Sequence, residues 1–284
     1  MFGYYVFIIL GCRMAGALFE LKQVYYSYLG RIPALCAVDL TIEQGSKVAV
    51  IGANGTGKST LLTMLDALIL PDKGTIKAFG TELNDGLLND AAFTQEFRRK
   101  VGFVFQNPDV QLFCPTVKED IIFGPLQLGI PKDEITARLD EVSCLFNIAH
   151  LLERSPHQLS IGEKRKVALA SALIIKPDVL LIDEPTAGLD PQTVRDIIDV
   201  ILEMNKAGKT IITATHDMHI VEEISDIAHV FSANKRIIRS AHPHEILSDQ
   251  EFLQTHNLIH IHSHRHKDRV HIHPHLHLEH HQEQ

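Results

Sequence analysis

The sequence lacks any apolar run long enough to cross a bilayer as a helix, which takes about 20 residues. An apolar stretch at residues 1–11 is too short to do so and has no basic segment before it, unlike a secretion signal. We therefore expect residues 1–17 to be a flexible or non-native extension, with Met14 as the alternative start. On this interpretation, the protein reaches a membrane only through its partners.

Long basic runs and paired cysteines are also missing. The formal net charge is −8, which argues against a nucleic-acid partner. The four cysteines, Cys12, Cys36, Cys114 and Cys144, have neither metal-site nor disulfide spacing. The pattern is typical of a protein in a reducing compartment, and we expect the thiols to be buried.

The 45% of hydrophobic residues suffices for a sizeable core. Strands are predicted within residues 18–51, at 75–79, 96–105, 179–182 and 210–215, and helices at 59–70, 160–174 and 191–206. Residues 116–158 between the strand-rich halves read as helical. This alternation favours an α/β fold with a parallel, helix-covered sheet.

A glycine-rich segment follows the apolar strand at residues 47–51 and precedes a helix. It runs from Gly52 to Gly57, Lys58 and Ser59 with the spacing of a phosphate-binding loop. Glycines let backbone N–H groups close around phosphate oxygens, and the helix N-terminus adds positive potential. Lys58 is expected to reach the β- and γ-phosphates, and Ser59 to hold Mg²⁺.

Two acids, Asp183 and Glu184, follow another buried strand. Burying two carboxylates is costly unless they act on a cation or a water. We expect Asp183 to order the Mg²⁺ shell and Glu184 to polarise the attacking water.

Together with a serine–glycine motif at residues 159–163, these segments resemble the ATP-binding cassette (ABC) ATPases. The resemblance implies a P-loop NTPase fold with a RecA-like core, an antiparallel β subdomain and a helical subdomain. Ser160 and Gly162 match the signature that binds the γ-phosphate held by a second subunit. Gln106 matches the loop glutamine that senses Mg²⁺ and water, His216 the switch histidine, and Asp190 the loop coupling two sites. Tyr28 stands where the family stacks an aromatic ring on adenine.

The resemblance divides the expected site into three sets of residues. The catalytic set is Lys58, Gln106, Glu184 and His216, and the Mg²⁺ set is Ser59, Gln106 and Asp183. The nucleotide-binding set is Tyr28, Gly52, Asn54, Gly55, Gly57, Lys58, Ser59, Thr60, Ser160, Gly162 and Asp190. In the signature, Ile161 replaces the usual glycine, and we expect the β-branched residue to leave the enzyme active but slower.

Residues around Gln106 narrow the resemblance to the ATPases of energy-coupling factor importers, which take up vitamins or cobalt and nickel ions. Residues 105–113, 115–120 and 123–125 carry it, and it extends over roughly residues 18–258. In that family this stretch forms a groove for a helix of the membrane-embedded coupling subunit. We expect Phe113, Ile121, Ile122 and Phe123 to divide between core and groove.

Histidine dominates the chain after residue 259. The candidate transition-metal ligands are His260, His262, His264, His266, His271, His273, His275 and His277. Neutral imidazole binds Ni²⁺, Co²⁺, Cu²⁺ and Zn²⁺, so the tail is interpreted as a metal buffer or sensor. The alternatives are a purification tag, which the interleaved Ile, Leu, Pro and Arg argue against, and a polar tail without a role.

The sequence thus predicts an ATP-hydrolysing subunit of a cobalt or nickel importer on the cytoplasmic face of the membrane. The expected units are an ABC domain at 18–240 with a helical subdomain near 107–160, a segment at 241–259 and a histidine-rich tail at 260–284. Its partners would be a coupling subunit, a substrate-binding membrane subunit, and a second ATPase that is a copy or a paralogue. Importing a vitamin, or serving as a soluble assembly or metal-delivery ATPase, stay open as alternatives.

Overall fold

The computed structural model describes residues 17–266 and 269–275, and the side chains of residues 17–259. The strands in these ranges are β1 (Ala17–Tyr28), β2 (Ile32–Glu43), β3 (Lys47–Ile51), β4 (Lys73–Ala78), β5 (Thr81–Glu82), β6 (Val101–Val104), β7 (Val179–Asp183), β8 (Thr210–Thr215), β9 (Ile227–Phe231), β10 (Ile237–Ala241), β11 (His260–His266) and β12 (Arg269–His275). The α-helices there are α1 (Lys58–Leu65), α2 (Asp85–Leu88), α3 (Ala91–Lys100), α4 (Val117–Gln127), α5 (Lys132–Leu145), α6 (Ile161–Leu173), α7 (Pro191–Lys206), α8 (Met218–Ile224), α9 (Pro243–Leu247) and α10 (Gln250–Thr255).

Two sheets form the body of the described chain. The smaller is antiparallel with strand order β2-β1-β4-β5. The larger has the order β10-β9-β3-β8-β7-β6; it is parallel from β9 to β6, and β10 is antiparallel to β9. Every residue of β7 and β8 is buried, as expected of central strands covered on both faces. The fold is the predicted ABC ATPase fold with mixed α/β sheets.

The strand order places the functional segments at one edge of the larger sheet. β8 lies between β3 and β7 and is parallel to both. The carboxyl ends of neighbouring parallel strands meet at the same edge, where open α/β sheets bind ligands. The glycine-rich loop after β3, the acids at the end of β7 and His216 after β8 therefore converge.

Helices α4, α5 and α6 occupy the stretch between β6 and β7. Two of them begin with a capping box, Thr116 with Glu119 at α4 and Ser160 with Glu163 at α6. In each box the hydroxyl and the carboxylate satisfy backbone N–H groups that the first turn leaves free. This fixes the start of α6 at the signature motif.

Residues 241–259 pack against the larger sheet. Ile246, Leu253 and Leu258 are buried in one cluster with Ile51 of β3 and Val221 of α8. The short C-terminal segment thus covers the outer side of the strand that leads into the glycine-rich loop.

The structure corrects three expectations. Residues 96–100 belong to α3, an amphipathic helix with Phe97 buried, and only 101–104 form a strand. Helix α1 ends at Leu65, because the chain turns through Ala67 at a φ of 55°. The thiols of the described cysteines are not buried: Cys36 and Cys114 are partly exposed and Cys144 is exposed; Cys12 lies outside the described residues.

No helix in the described part of the chain is long and apolar enough to cross a membrane. The four apolar residues predicted to divide between core and groove differ in their exposure. Ile121 is fully buried and Ile122 partly so, whereas Phe113 and Phe123 are 64% and 41% exposed. These two rings pack edge to face with centroids 5.1 Å apart.

Candidate active site

The glycine-rich loop wraps tightly against β2 between β3 and α1. Gly57 has a φ of 113°, and a Cβ there would lie 2.3 Å from the carbonyl oxygen of Ala34. Gly55 has a φ of 74°. Since both positions favour glycine for conformational reasons, and Gly57 for space as well, the loop presents backbone N–H groups rather than side chains.

Lys58 is a buried cation at the start of α1. Its Nζ donates to the carbonyl oxygen of Gly52 at 2.8 Å and lies 3.5 Å from Oε1 of Glu184. Burial lowers the pKa of Lys58, while the neighbouring carboxylates Glu184 and Asp183 act in the opposite direction. The ammonium is thus held between the glycine-rich loop and the acids of β7.

Asp183 ends β7 with its carboxylate buried. Its Oδ1 has no hydrogen-bond partner among the described residues, and burial raises its pKa although the Ser59 hydroxyl lowers it. A buried carboxylate oxygen without a donor is costly, and a bound cation would satisfy it. Carboxylate and hydroxyl oxygens are ligands that Mg²⁺ accepts, so Asp183 and Ser59 fit the predicted magnesium site.

Glu184 has an unusual backbone and a fully engaged carboxylate. Its φ is 47°, and its N–H donates to the carbonyl oxygen of Ala214 on β8 at 2.8 Å. Oε2 accepts from the Thr215 hydroxyl at 3.2 Å and from the His216 N–H at 3.3 Å. Positive φ is costly for a non-glycine residue, and here the neighbouring strand holds it in place.

His216 and Glu184 lie in contact at the end of β8 and form an ion pair when the imidazole is protonated. His216 Nδ1 lies 2.9 Å from Oε1 of Glu184, in contact but without the alignment of a hydrogen bond. Burial alone would raise the pKa of Glu184, but His216 and Lys58 hold it below its ordinary value. Glu184 in turn raises the pKa of His216, against burial and Lys58. The carboxylate is therefore ionised, as a general base requires.

One cavity of about 370 Å³ gathers most of the predicted nucleotide-binding residues. Gln106, Glu184 and Tyr28 all line it, and the Tyr28 hydroxyl lies 3.1 Å from that of Thr60. The predicted residues on its wall are Tyr28, Asn54, Gly55, Gly57, Lys58, Ser59, Thr60, Gln106 and Glu184. Gly52, Asp183 and His216 contact this wall from behind, through Lys58, Ser59 and Glu184.

The signature residues lie in a different place. Ser160 and Gly162, at the start of α6, line a separate cavity of about 190 Å³ together with Asp190. Asp190 caps α7, and its carboxylate accepts from the Thr193 hydroxyl at 2.6 Å. In the described chain, none of the residues around this cavity lines the first one. A single chain thus carries two separate halves of the predicted site.

Ile161 occupies the first turn of α6 with its side chain 59% exposed. Its φ is not positive, so this position does not need the conformational freedom of glycine. The replacement places an exposed apolar side chain beside Ser160 rather than strain in the backbone. The slower turnover expected from Ile161 stays a prediction.

Sequence reasoning missed two residues that hold the site together. Arg165 of α6 is 2% exposed and donates to the carbonyl oxygens of Phe105 at 2.8 Å and Gln106 at 2.7 Å. Lys235, in the turn after β9, bonds the carbonyl oxygen of Gly55 and lines the larger cavity. Neither stands out in sequence, because Arg165 sits in a basic triplet typical of an exposed helix face and Lys235 in an ordinary turn.

Arg165 permits a test of this support. In Arg165→Met, two carbonyl groups lose their donor and the buried acids lose a nearby cation, so we expect a loss of about 3 kcal/mol in the free energy of unfolding. Urea denaturation measures it. Arg195→Ala, which removes a half-exposed guanidinium that pairs with Asp199 and Glu223 on the surface, is the control and should change the midpoint little. Equal midpoints for both variants would contradict the role of Arg165.

The ion pair gives a pH test. Because the pKa of His216 is raised above the ordinary 6.5, the pair contributes fully to stability below pH 6.5 as long as Glu184 is ionised, and this contribution is lost as pH rises through the raised pKa of His216. Glu184→Gln removes the partner carboxylate, so the pKa of His216 should fall to or below 6.5. NMR titration of the imidazoles measures it. His229, whose pKa burial lowers to about 4, is the internal control and should not move. An unchanged His216 would refute the pairing.

Comparison with known proteins places this geometry in a family. The ABC transporter family profile matches residues 35–187. The nickel import ATP-binding protein NikO of Rhodobacter capsulatus is 50% identical over 220 residues, covering 76% of this chain and 86% of that protein. The energy-coupling factor transporter ATP-binding protein EcfA of Methanothermobacter thermautotrophicus is 40% identical over 242 residues, covering 84% and 75%.

A solved structure agrees. CbiO1 of Clostridium perfringens, described as part of the ABC transporter complex CbiONQ, superposes with a TM-score of 0.72. It is 35% identical, and the match covers 85% of this chain and 95% of that one. Fold, site and relatives lead to one conclusion. The chain belongs to the ABC transporter family and is an ATPase subunit of the energy-coupling factor type.

Proposed function

We propose that this ATPase energises the import of a transition-metal ion, nickel or cobalt, from the cytoplasmic face of the membrane. The observation that carries the choice of substrate is the histidine-rich segment after residue 259. It supplies a high density of imidazoles, which are good ligands for these ions. The names of two relatives, the nickel importer NikO and the CbiONQ subunit CbiO1, support the same choice.

The buried charges define the chemistry proposed for this chain. Backbone N–H groups of residues 52–59 and the Lys58 ammonium bind the β- and γ-phosphates of ATP. Ser59, Asp183 and Gln106 would hold Mg²⁺, which would supply positive charge against the phosphate oxygens. Glu184 orients the attacking water and takes its proton, and His216 holds the carboxylate in position. Tyr28 stacks on the adenine from the rim of the cavity.

Separation of the two half-sites supports a functional pair of chains. Ser160 and Gly162 line a cavity of their own, and no residue of the glycine-rich loop lines that cavity. In a head-to-tail arrangement, the start of α6 in one chain would meet the phosphate held by the other. Two such contacts form at once, and the partner is a second copy or a paralogue. ATP closes the pair and hydrolysis reopens it.

A groove beside the Gln106 loop supports coupling to a membrane subunit. It has a volume of about 740 Å³ and is lined mainly by apolar groups, with Phe103, Phe123 and Ile175 among them. Gln111, also on its wall, accepts from the Phe105 N–H at 3.2 Å and donates to the Ala168 carbonyl oxygen at 2.8 Å. We propose that a helix of the membrane-embedded coupling subunit lies in this groove, next to the substrate-binding subunit.

The proposed pairing of two chains can be tested by placing a negative charge at Ser160. Glu184→Gln should trap ATP between two chains as a closed dimer, seen by light scattering after size exclusion. Adding Ser160→Asp places a negative charge against the partner's phosphate, so the dimer should be lost. Aspartate caps a helix start as serine does, but its carboxylate would lie near that of Glu163, which accepts from the Ser160 hydroxyl at 2.8 Å. The melting temperature of the double variant is therefore measured as well, and loss of the dimer counts only in a chain that stays folded. A double variant that still dimerises in ATP would contradict the proposed contact.

The substrate is testable by elemental analysis. Cells expressing the transporter genes with this chain should accumulate nickel or cobalt, measured by mass spectrometry. The Glu184→Gln form should give no accumulation, and Glu203→Gln, which alters an exposed surface carboxylate, should match the wild type. No rise in any metal with the complex intact in the membrane would point to a vitamin. An ATPase that never co-purifies with a membrane protein would point to a delivery factor.

A further inference from the structure

The histidine-rich segment has a defined backbone pairing. Strands β11 and β12 form an antiparallel hairpin whose connecting residues, 267 and 268, lie outside the described chain. Its register pairs His260 with His275, His262 with His273, and His264 with His271. The alternate positions pair Ile261 with Pro274, Ser263 with Ile272, and Arg265 with Val270. Histidine is thus directly opposite histidine three times in succession.

This register sorts the residues by face. Successive residues of a strand alternate between the two faces, and directly opposite residues share one. The three histidine pairs therefore fall on one face of the hairpin, and the interleaved pairs on the other. A shift of either strand by one residue would place histidine opposite isoleucine or proline and break up the row. The arrangement depends on pairing as well as on composition.

We propose that the three cross-strand histidine pairs form a transition-metal site in a row along one face of the hairpin. Opposite Cβ atoms in such a ladder are about 4.5–5.5 Å apart, and successive positions on one face about 6.6 Å. Metal–imidazole bonds are about 2.1 Å long, so two histidines at directly opposite ladder positions have a spacing that a shared ion can bridge. Ni²⁺, Co²⁺, Zn²⁺ and Cu²⁺ are the ions that such ligands take.

The same register limits the row of histidine pairs to three. His266 stands opposite Arg269, at the turn end of the hairpin. A guanidinium beside a divalent cation is unfavourable, so the fourth position closes the site rather than extending it. The site accordingly uses six of the eight candidate histidines, and His277 lies outside the described residues. The expected ligands are His260, His262, His264, His271, His273 and His275.

The rest of the described chain offers no competing cluster. Among residues 17–259, whose side chains are described, no group of three or more His, Cys, Asp or Glu residues is placed to hold a metal ion. Within the part of the chain that the structure describes, transition-metal binding is therefore expected at the hairpin. The inference goes beyond the proposed function, because the row would bind metal in the isolated chain whatever the transporter carries.

A register exchange tests this site without altering composition. The full-length chain, purified without an affinity tag, is titrated with NiCl₂ by isothermal calorimetry. In His271→Ile with Ile272→His, one imidazole moves to the opposite face, and we expect the affinity for Ni²⁺ to fall about tenfold or more. The matched control exchanges neighbours outside the hairpin, His281→Gln with Gln282→His, and should bind as the wild type does.

A second test compares the loss of two histidines from the same cross-strand pair with the loss of two histidines from different pairs. Removing His262 should weaken binding, and removing its partner His273 as well should cost little more, since the pair is already broken. Removing His262 together with His271, from two different pairs, should weaken binding by roughly the product of the single effects. The register is overturned if the 271/272 exchange binds Ni²⁺ as tightly as the wild type, because a flexible chain would then suffice. Absence of Ni²⁺ binding would overturn the site itself.

The proposed transport function and the proposed hairpin site can be refuted independently of each other. Uptake of nickel or cobalt that persists in the 271/272 exchange leaves the proposed function standing, whatever the titration gives. Tight, register-dependent Ni²⁺ binding in a protein whose transporter moves no metal leaves the hairpin site standing and removes the proposed substrate.

Discussion

The balance of buried charge at the carboxyl ends of β7 and β8 is the constraint on which this structure depends. Asp183 and Glu184 are both 4% exposed, and each would be costly to bury alone. Lys58 and His216 lie against Glu184, and Arg165 adds a further buried cation close enough to affect both acids. Lys58 after the glycine-rich loop and Arg165 of α6 each supply a positive group, and His216 after β8 supplies one when it is protonated. The segments are thus tied together electrostatically.

Such a cluster adds less to the stability of the folded state than its several ion pairs would suggest, because the cost of desolvating each ion offsets much of the attraction. Its main effect is specificity of position. A carboxylate held on one oxygen by His216 and Lys58 and on the other by Thr215 has little freedom left. The buried Oδ1 of Asp183, by contrast, has no hydrogen-bond donor among the described residues. A cation bound there would offset the cost of burying this oxygen.

Much of this arrangement could be predicted from the sequence. Short apolar runs followed by glycine or by acids have few structural solutions, so β3, β7 and the residues after them were predictable. Local signals at α3 were weaker, because Phe97 buries one face of a helix that otherwise looks polar. Arg165 could not be found at all. Its burial depends on the loop around Gln106 reaching across from β6, which is a tertiary contact without a local pattern. The hairpin register at β11 and β12 likewise depends on pairing between strands, whereas the alternation of histidines was plain.

Helix α6 connects three parts of the proposed transporter subunit, namely the motif at residues 159–163, the Gln106 loop and the groove beside it. Ser160 caps its start, Arg165 holds the Gln106 loop one turn and a half later, and the Ala168 carbonyl and Ser171 hydroxyl hold Gln111 beyond that. A helix rises 1.5 Å per residue, so these attachments span about 16 Å of one rod. A helix of this length moves largely as one unit, so a displacement at one end reaches the other end without passing through loops. A nucleotide bound at the start of α6 and a membrane helix bound along its side would therefore both act on the position of the same helix.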